Sequence, residues 1–519
     1  MGLGAAIGER GLEVCDSLRG MILPPDIAAQ IASLQRELEA LRAENAELRR
    51  RLGLDSSTSS KPPSSDGLGK PRAPVSLRER SGRPGGGQKG HKGETLRQIA
   101  EPDRIVKPEA CACRHCGSSL SAAMAVGMER RQTFDLPQRL IEVTEHQGLV
   151  YACAICGGAR RAAFPQGLSG PAQYGERIRA AAVYLNAQPL IPEDRTAAAR
   201  ADLFGAHSLS PASVAPWTQR RAQAFLPVAA RIGARLTGAR VRCLDETGFR
   251  VAGRTQWLHT IATDALTLYR ISAKRGDVPK ELAGGVVVHD GFKSYGGLDG
   301  VAHALCNAHH LRELKALIAF DQEAWQEAWQ EAWQEAWQEA WAAAMRELLL
   351  EANQAVEEAR QRGQTALAPG LLTAFYARYF EALREGLAYH RKLPRLPRHG
   401  SNRGKVKRRP GHNLLLRLHK FKDDVLRFLS DFDVPFPNNL AEQALRMMKV
   451  KMKISGASRT VEGAQAFAAL RSVIATARKQ GYNTLAILSA NPTTLIQAFA
   501  PLTNPPGQLL FRDFILITH

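Results

Sequence analysis

Three acidic residues stand where a chain could gather charge for chemistry on phosphates: Asp245 in ARVRCLDETGFRV, Asp290 in GGVVVHDG and Glu442 in VPFPNNLAEQALRMMKVKMK. Two carboxylates brought together by neighbouring strands repel unless a cation sits between them, and the hard ions Mg²⁺ and Mn²⁺ prefer such oxygen ligands. A third carboxylate completes a site for two ions about 3.5–4 Å apart, one activating an attacking oxygen and one stabilising a leaving oxygen. Each acid also has a plain structural use. Asp290-Gly291 is a good turn. Asn439 as N-cap puts Glu442 at the third helical position, where it fits a capping box and could also face a sheet. The order of the three along the chain favours the chemical use.

The surrounding elements explain how they would meet. Residues 240–251 read as a strand running into a turn, and residues 256–263 and 266–272 as two more strands joined at Asp264-Ala265. A short polar helical patch is expected near Pro279–Leu282. A strand ending on Asp290 follows, then VAHAL leading into the helix CNAHHLREL. This β-β-β-α-β-α-β order is that of a ribonuclease-H-like α/β core, in which the first and fourth strands lie side by side. Asp245 and Asp290, at the ends of those strands, would then face one another.

A second chemistry is written in the cysteines. Cys113-x-x-Cys116 and Cys153-x-x-Cys156 are each followed by glycine, the pattern of a zinc knuckle, and two knuckles make a tetrahedral four-thiolate site. The wide gap between the pairs and the extra thiol of Cys111 leave a redox CxxC pair as the competitor. Strands expected at 139–144 and 148–152 favour structural Zn²⁺, with no open position for catalysis. Cys306, His309 and His310 also sit within one helical turn. A packed or DNA-facing role is the stronger reading for them, ahead of a second metal site.

The chain has 519 residues, with 70 Lys and Arg against 50 acids, giving a formal charge of +20. Such a surplus calls for a polyanionic partner, nucleic acid above all. No apolar run approaches a membrane span and no signal peptide opens the sequence, while eight cysteines are too few for a disulfide scaffold. A soluble, reducing, cytoplasmic setting is expected. Ile27, Leu34, Leu41 and Leu48, with Ile31, Leu38, Asn45 and Leu52, form an a/d seam; Asn45 at an a position favours a parallel dimer. Residues 49–93 then carry eleven Lys or Arg against three acids in a Ser-, Pro- and Gly-rich linker.

A second basic run spans 391–420, with eleven Lys or Arg and no acid, and includes Arg403, Lys405, Lys407, Arg408 and Arg409. It would neutralise phosphates and make binding salt-dependent. Arg446, Lys449 and Lys453 share a face of the helix carrying Glu442 and would hold phosphates near the cleavage point. Lys451 points elsewhere. Five copies of QEAW occupy residues 322–341. They read as a tolerated helical insertion whose tryptophans spiral slowly, because four residues overshoot one turn.

The chain resembles the insertion sequence 66 family of DDE transposases from about residue 24 to about residue 490. The motifs carrying the resemblance are SSKPPSSD, GGQKGHKG, the paired CxxCG knuckles, CLDETGFRV, VVVHDGFKSYGG, CNAHHLREL, VPFPNNLAEQALR and KISGASRTVEGAQ. The resemblance implies catalytic Asp245, Asp290 and Glu442, an all-helical domain inserted before the last of them, and accessory proteins from the same element. The family usually carries Arg after the catalytic Glu, where Gln443 stands here, with Arg446 one turn later.

The expected organisation is an extension (1–23), a coiled coil (24–54), a basic linker (55–100) and a small zinc-ribbon-like domain (101–165). A helical DNA-binding region (166–237) precedes the core (238–318), the helical insertion (319–435), the last part of the core (436–490) and a tail (491–519). The expected activity is cleavage at element ends and joining of the 3′ hydroxyl to target DNA by a nucleoid-associated dimer. The alternative is a DNA-binding remnant whose chemistry is disabled.

Overall fold

A computed structural model describes residues 98–106, 118, 130–133, 141–152, 155–156, 159–204, 210–327, 340–393, 408–456 and 458–499, with six positions between 26 and 37. The chain divides into two compact units: one of residues 1–70, 174–197 and 210–519, the other of 71–173 and 198–209. Of the heptad seam, Leu34 is described, helical and exposed; the remaining seam residues lie outside the described residues, as do the central copies of QEAW.

In the smaller unit, β1 (Val150–Ala152) pairs antiparallel with β2 (Ala159–Arg161), Val150 opposite Arg161. The strand expected at 148–152 is thus shorter, and residues 141–144 form no strand. Cys156 lies exposed in the turn between the two strands. Cys113, Cys116 and Cys153 lie outside the described residues.

The larger unit is built on a five-stranded sheet: β3 (Val241–Val251), β4 (Arg254–Ala262), β5 (Thr267–Ser272), β6 (Val286–His289) and β7 (Ala302–Leu305). Its spatial order is β5-β4-β3-β6-β7. The first three strands are antiparallel neighbours, while β6 runs parallel to β3 and β7 parallel to β6. Between β5 and β6 the expected polar helix at Pro279–Leu282 is absent; the chain there is turn and irregular. Pro279 removes an amide donor, and the Gly284-Gly285 pair needs a left-handed backbone just after.

Gly285 is required. It has φ +64°, and a Cβ there would lie 2.5 Å from the Arg240 carbonyl oxygen. That same oxygen accepts the Val286 amide at 2.7 Å, the bond that starts β6 against β3.

The two-residue period of the strands sorts side chains between two layers. Cys243, Val286 and Val288 pack into one core with the inserted helices, α5 (Ala340–Gln361), α6 (Pro369–Lys392) and α7 (Pro410–Lys420). Leu244 and Val287 pack the other way, against α1 (Glu176–Ala187), α3 (Val214–Thr237) and α9 (Val461–Lys479). Between them in chain order come α2 (Glu193–Phe204), α4 (Asn307–Glu327) and α8 (Asn439–Ser455). The last QEAW residue, Trp341, is a core residue of the insertion, edge-on to His390. Helix Pro492–Ala498 places Leu495 in the same core as α3, within the stretch expected to be tail.

Edge strand β5 is sealed by α9. Ser472 Oγ accepts the Tyr269 amide at 2.9 Å and Thr476 Oγ1 the Thr267 amide at 3.0 Å, one helical turn apart. Satisfied edge amides offer no template for another strand.

Candidate functional site

Asp245 lies within β3, not at its end, because the strand continues to Val251 as a hairpin with β4. The parallel ladder is shorter: it runs from Val241 opposite Val286 to Cys243 opposite Val288. Asp245 and Asp290 therefore stand just beyond that ladder, each two residues past a side chain of the insertion-facing core. The shared parity puts both on one face. Asp290 follows the last residue of β6, and its Oδ1 accepts the Phe292 amide at 2.8 Å in a tight turn that Gly291 completes at φ +87°. Asp245 Oδ1 accepts the Glu246 amide at 2.8 Å.

Neither aspartate has a basic side chain bonded to it among the described residues. Burial, then the charges of Glu246, Asp290 and Glu442, push the Asp245 carboxyl well above the usual carboxylate range. Asp290 is raised for the same reasons, burial first and Glu246 next. Both acids are half-buried and resist ionisation, a perturbation that clusters at functional sites.

Glu442 arrives from α8. The helix begins at Asn439, so Asn438 holds the cap position and Glu442 is the fourth helical residue, not the third. The Asn438 side chain makes no cap bond to its own helix; its Nδ2 instead donates to the Leu244 carbonyl at 2.7 Å. Its backbone amide donates to Cys306 Sγ at 3.1 Å. The wholly buried Asn438 thus ties the start of α8 to β3, one residue before Asp245. The end of the insertion is pinned too, with the Phe436 carbonyl accepting the Asn307 amide at 3.1 Å.

The Glu442 carboxylate turns toward the start of α4. Cys306 Sγ donates to Glu442 Oε1 at 3.6 Å, and His309 Nδ1 stands 3.8 Å from the same oxygen. Among the described residues, Cys306, His309 and Glu442 form a group whose ligand atoms lie within 4.8 Å of one another. Asp290 and Glu442 each lie within electrostatic reach of Asp245, but the three acids do not close to that distance. Burial and the Glu442 charge push the Cys306 thiol up to about 12. Burial, with Arg312 and Arg417, pushes His309 down to about 3.

A family model described as "Transposase IS66 family" matches residues 171–466, more than half of the chain and the whole of this site. The chain belongs to the IS66 transposase family. A model described as the zinc-finger binding domain of transposase IS66 matches residues 110–157, which supports zinc in the smaller unit, and a family of unknown function matches residues 21–97. No curated protein and no solved structure matches. Family membership carries transposase function, DNA binding and dependence on a divalent metal. Among the described residues no helix is long and apolar enough to cross a membrane.

The cations of this transposase fall into distinct settings. Arg446 and Lys453 are exposed on α8, while Lys449 is half-buried within electrostatic reach of Asp245, its ammonium lowered by burial. Lys451 lies 4.7 Å over the Phe467 ring, away from that row. Arg408 is exposed just ahead of α7 with Arg409 beside it; Arg403, Lys405 and Lys407 lie outside the described residues. Gln443 is exposed.

Two residues at the site carry no local signal strong enough to single them out in the sequence. Glu246 was passed over because its neighbour Asp245 filled the catalytic role; its buried carboxylate accepts Arg275 Nε at 2.8 Å and the Tyr295 hydroxyl. Asn438 was overlooked because the following Asn439 satisfied the cap pattern. An Asn-Asn pair ahead of a helix leaves two candidates for one cap, and that ambiguity was the available signal.

Proposed function

We propose that the chain is a ribonuclease-H-like DDE transposase, cutting the ends of its own insertion sequence and joining the freed 3′ hydroxyl to target DNA. The observation that carries this reading is the placement of Asp245 and Asp290 on one face beyond the short β3–β6 ladder, with α8 anchored to β3 through Asn438. The sheet order supports the fold, since the parallel β6 lies beside the first strand of an antiparallel trio.

Asp245, Asp290 and Glu442 would hold two Mg²⁺ or Mn²⁺ ions, which when bound supply activation of the attacking oxygen and charge stabilisation at the leaving one. The donors fit: all are carboxylates, the class hard cations take. The chain's own residues do the rest. Lys449, with Arg446 and Lys453 along α8, holds phosphates beside the acids without reading bases. Arg403, Lys405, Lys407, Arg408 and Arg409 add positive charge for the DNA backbone. In strand transfer one phosphodiester bond forms as another breaks, so no covalent enzyme intermediate is needed.

Zn²⁺ on Cys113, Cys116, Cys153 and Cys156 shapes the smaller unit, and the heptad seam with Asn45 joins two copies on DNA in the nucleoid. Accessory proteins of the same element complete the assembly.

The test is incubation of the purified protein and any element-encoded partners with DNA carrying the element's ends, in Mg²⁺ or Mn²⁺. Nicking at the ends that is lost in Asp245→Ala is the expected result. Binding with no cleavage under both metals overturns this reading in favour of a disabled remnant, and cleavage with no joined donor–target product reduces it to a nuclease.

A further inference from the structure

The start of α4 brings together two side chains of a different character from the all-oxygen acids. Cys306 directly precedes the helix and His309 lies one turn in, a spacing that puts both on the side facing Glu442. His309 Nδ1 is buried and has no hydrogen-bond partner among the described residues; Glu442 Oε1 stands 3.8 Å from it. A buried ring nitrogen left unpaired costs free energy that a ligand would recover. The sulfur is already furnished as a metal thiolate would be, with the Asn438 amide donating to it at 3.1 Å.

The spacing can be compared with what a metal asks. Zinc–sulfur and zinc–oxygen bonds of about 2.3 and 2.1 Å at a tetrahedral angle separate the two ligand atoms by about 3.6 Å. Cys306 Sγ and Glu442 Oε1 stand 3.6 Å apart. The corresponding nitrogen–oxygen separation is about 3.4 Å. His309 Nδ1 must therefore close a few tenths of an ångström from its 3.8 Å. Sulfur, imidazole nitrogen and one carboxylate oxygen are the ligand set of zinc and cobalt, not of magnesium.

We propose that Cys306, His309 and Glu442 bind one thiophilic divalent ion, Zn²⁺ or Co²⁺, with the thiol proton released to solvent. Three protein ligands leave the fourth position of a tetrahedral ion to water. The site stands without the strand-transfer reading; its consequence rests on that reading. An ion held here takes the carboxylate assigned to the magnesium pair, so zinc is an inhibitor that competes for Glu442.

Cobalt titration of the full-length, metal-stripped protein tests the binding. Wild type is expected to take one more equivalent of Co²⁺ than Cys306→Ser or His309→Gln, and that equivalent carries sulfur-to-cobalt charge-transfer absorption. Should Cys306→Ser fail to fold, the partly exposed His309→Gln decides, with circular dichroism showing that it is folded. Equal stoichiometry and spectra in wild type and His309→Gln overturn the site. The readout needs no DNA. A cobalt equivalent at Cys306 in a protein that never nicks leaves this site standing and overturns strand transfer alone. End-specific nicking by a protein without that equivalent overturns this site alone.

Discussion

On one side of β3, Glu246 is buried with its charge answered: Arg275 Nε lies 2.8 Å from Oε1, the Tyr295 hydroxyl donates to Oε2, and Arg275 itself stacks 4.0 Å from the Phe292 ring. On the other side Asp245, one residue earlier, has its own neighbour's amide at 2.8 Å and feels the charges of Asp290 and Glu442 besides that of Glu246. The same strand thus carries a satisfied acid and an unsatisfied one. Partnered buried charge is a structural element; uncompensated buried charge persists where a ligand supplies the compensation. The Asp245 side is the one that the proposed function gives to a cation. The Glu246 side holds the Asp290 turn in place, because Tyr295 and Arg275 both reach it from that segment's surroundings.

The largest expected effect tests that division directly. Asp245→Asn should lower divalent-metal-dependent nicking by about 10³-fold or more, since bound ions contribute several kcal/mol to such a transition state. Its melting temperature with no divalent ion added should equal or exceed that of wild type, because a disfavoured charge has been removed. A marked loss of stability would place Asp245 with Glu246, as a structural acid. Next comes Asn438→Ala, which cuts the tie from α8 to the Leu244 carbonyl. It should weaken Mn²⁺ binding by about 10–100-fold, the usual cost of losing a residue that orients a metal ligand. Titration calorimetry with unchanged Mn²⁺ affinity would show that Glu442 is positioned some other way.

Much of this was legible in the sequence, for reasons that can be named. Within GGVVVHDG the strand Val286–His289 is fully buried, so its apolar character and the flanking glycines mark both its extent and its ends. The parity of Asp245 with Cys243, and of Asp290 with Val288, follows from a period of two and needs no structure. What escaped was set by distance along the chain. The Asn438 side chain bonds to Leu244, 194 residues away, and no local pattern distinguishes that from a cap. The same holds for Glu442 and Cys306, 136 residues apart, which turned a weak Cys-His pair into a three-ligand group. The helical patch expected near Pro279–Leu282 failed because a polar composition suits turn and helix alike.

Glu246→Gln sharpens the comparison from the other side. It keeps an acceptor for Tyr295 and removes the charge facing Arg275. Glu246 is almost wholly buried, but Arg275 is one-third exposed and can rehydrate. The expected loss is therefore about 2 kcal/mol, near what a charged hydrogen bond contributes. Denaturant unfolding should show it as a lowered midpoint at constant slope.

The smallest expected effect is a slope in pH. The Asp245 carboxyl is raised in the folded chain by burial and by neighbouring acids. In the unfolded chain it returns to about 3.9. Between those two values the folded state holds a proton that the unfolded state has lost, so this contribution to stability is fully present below about pH 4 and is lost as pH rises through the raised value. Asp290 is displaced in the same direction and adds to the slope. With no divalent ion added, wild type should therefore lose stability on going from mildly acidic to neutral pH more steeply than Asp245→Asn. Added Mg²⁺ or Mn²⁺ should reverse the trend for wild type alone, because ions bind the ionised acids and stabilise the folded state by mass action. Parallel curves for the two proteins, with and without the ions, would mean that Asp245 is as well compensated as Glu246, and the distinction between the two sides of β3 would fall.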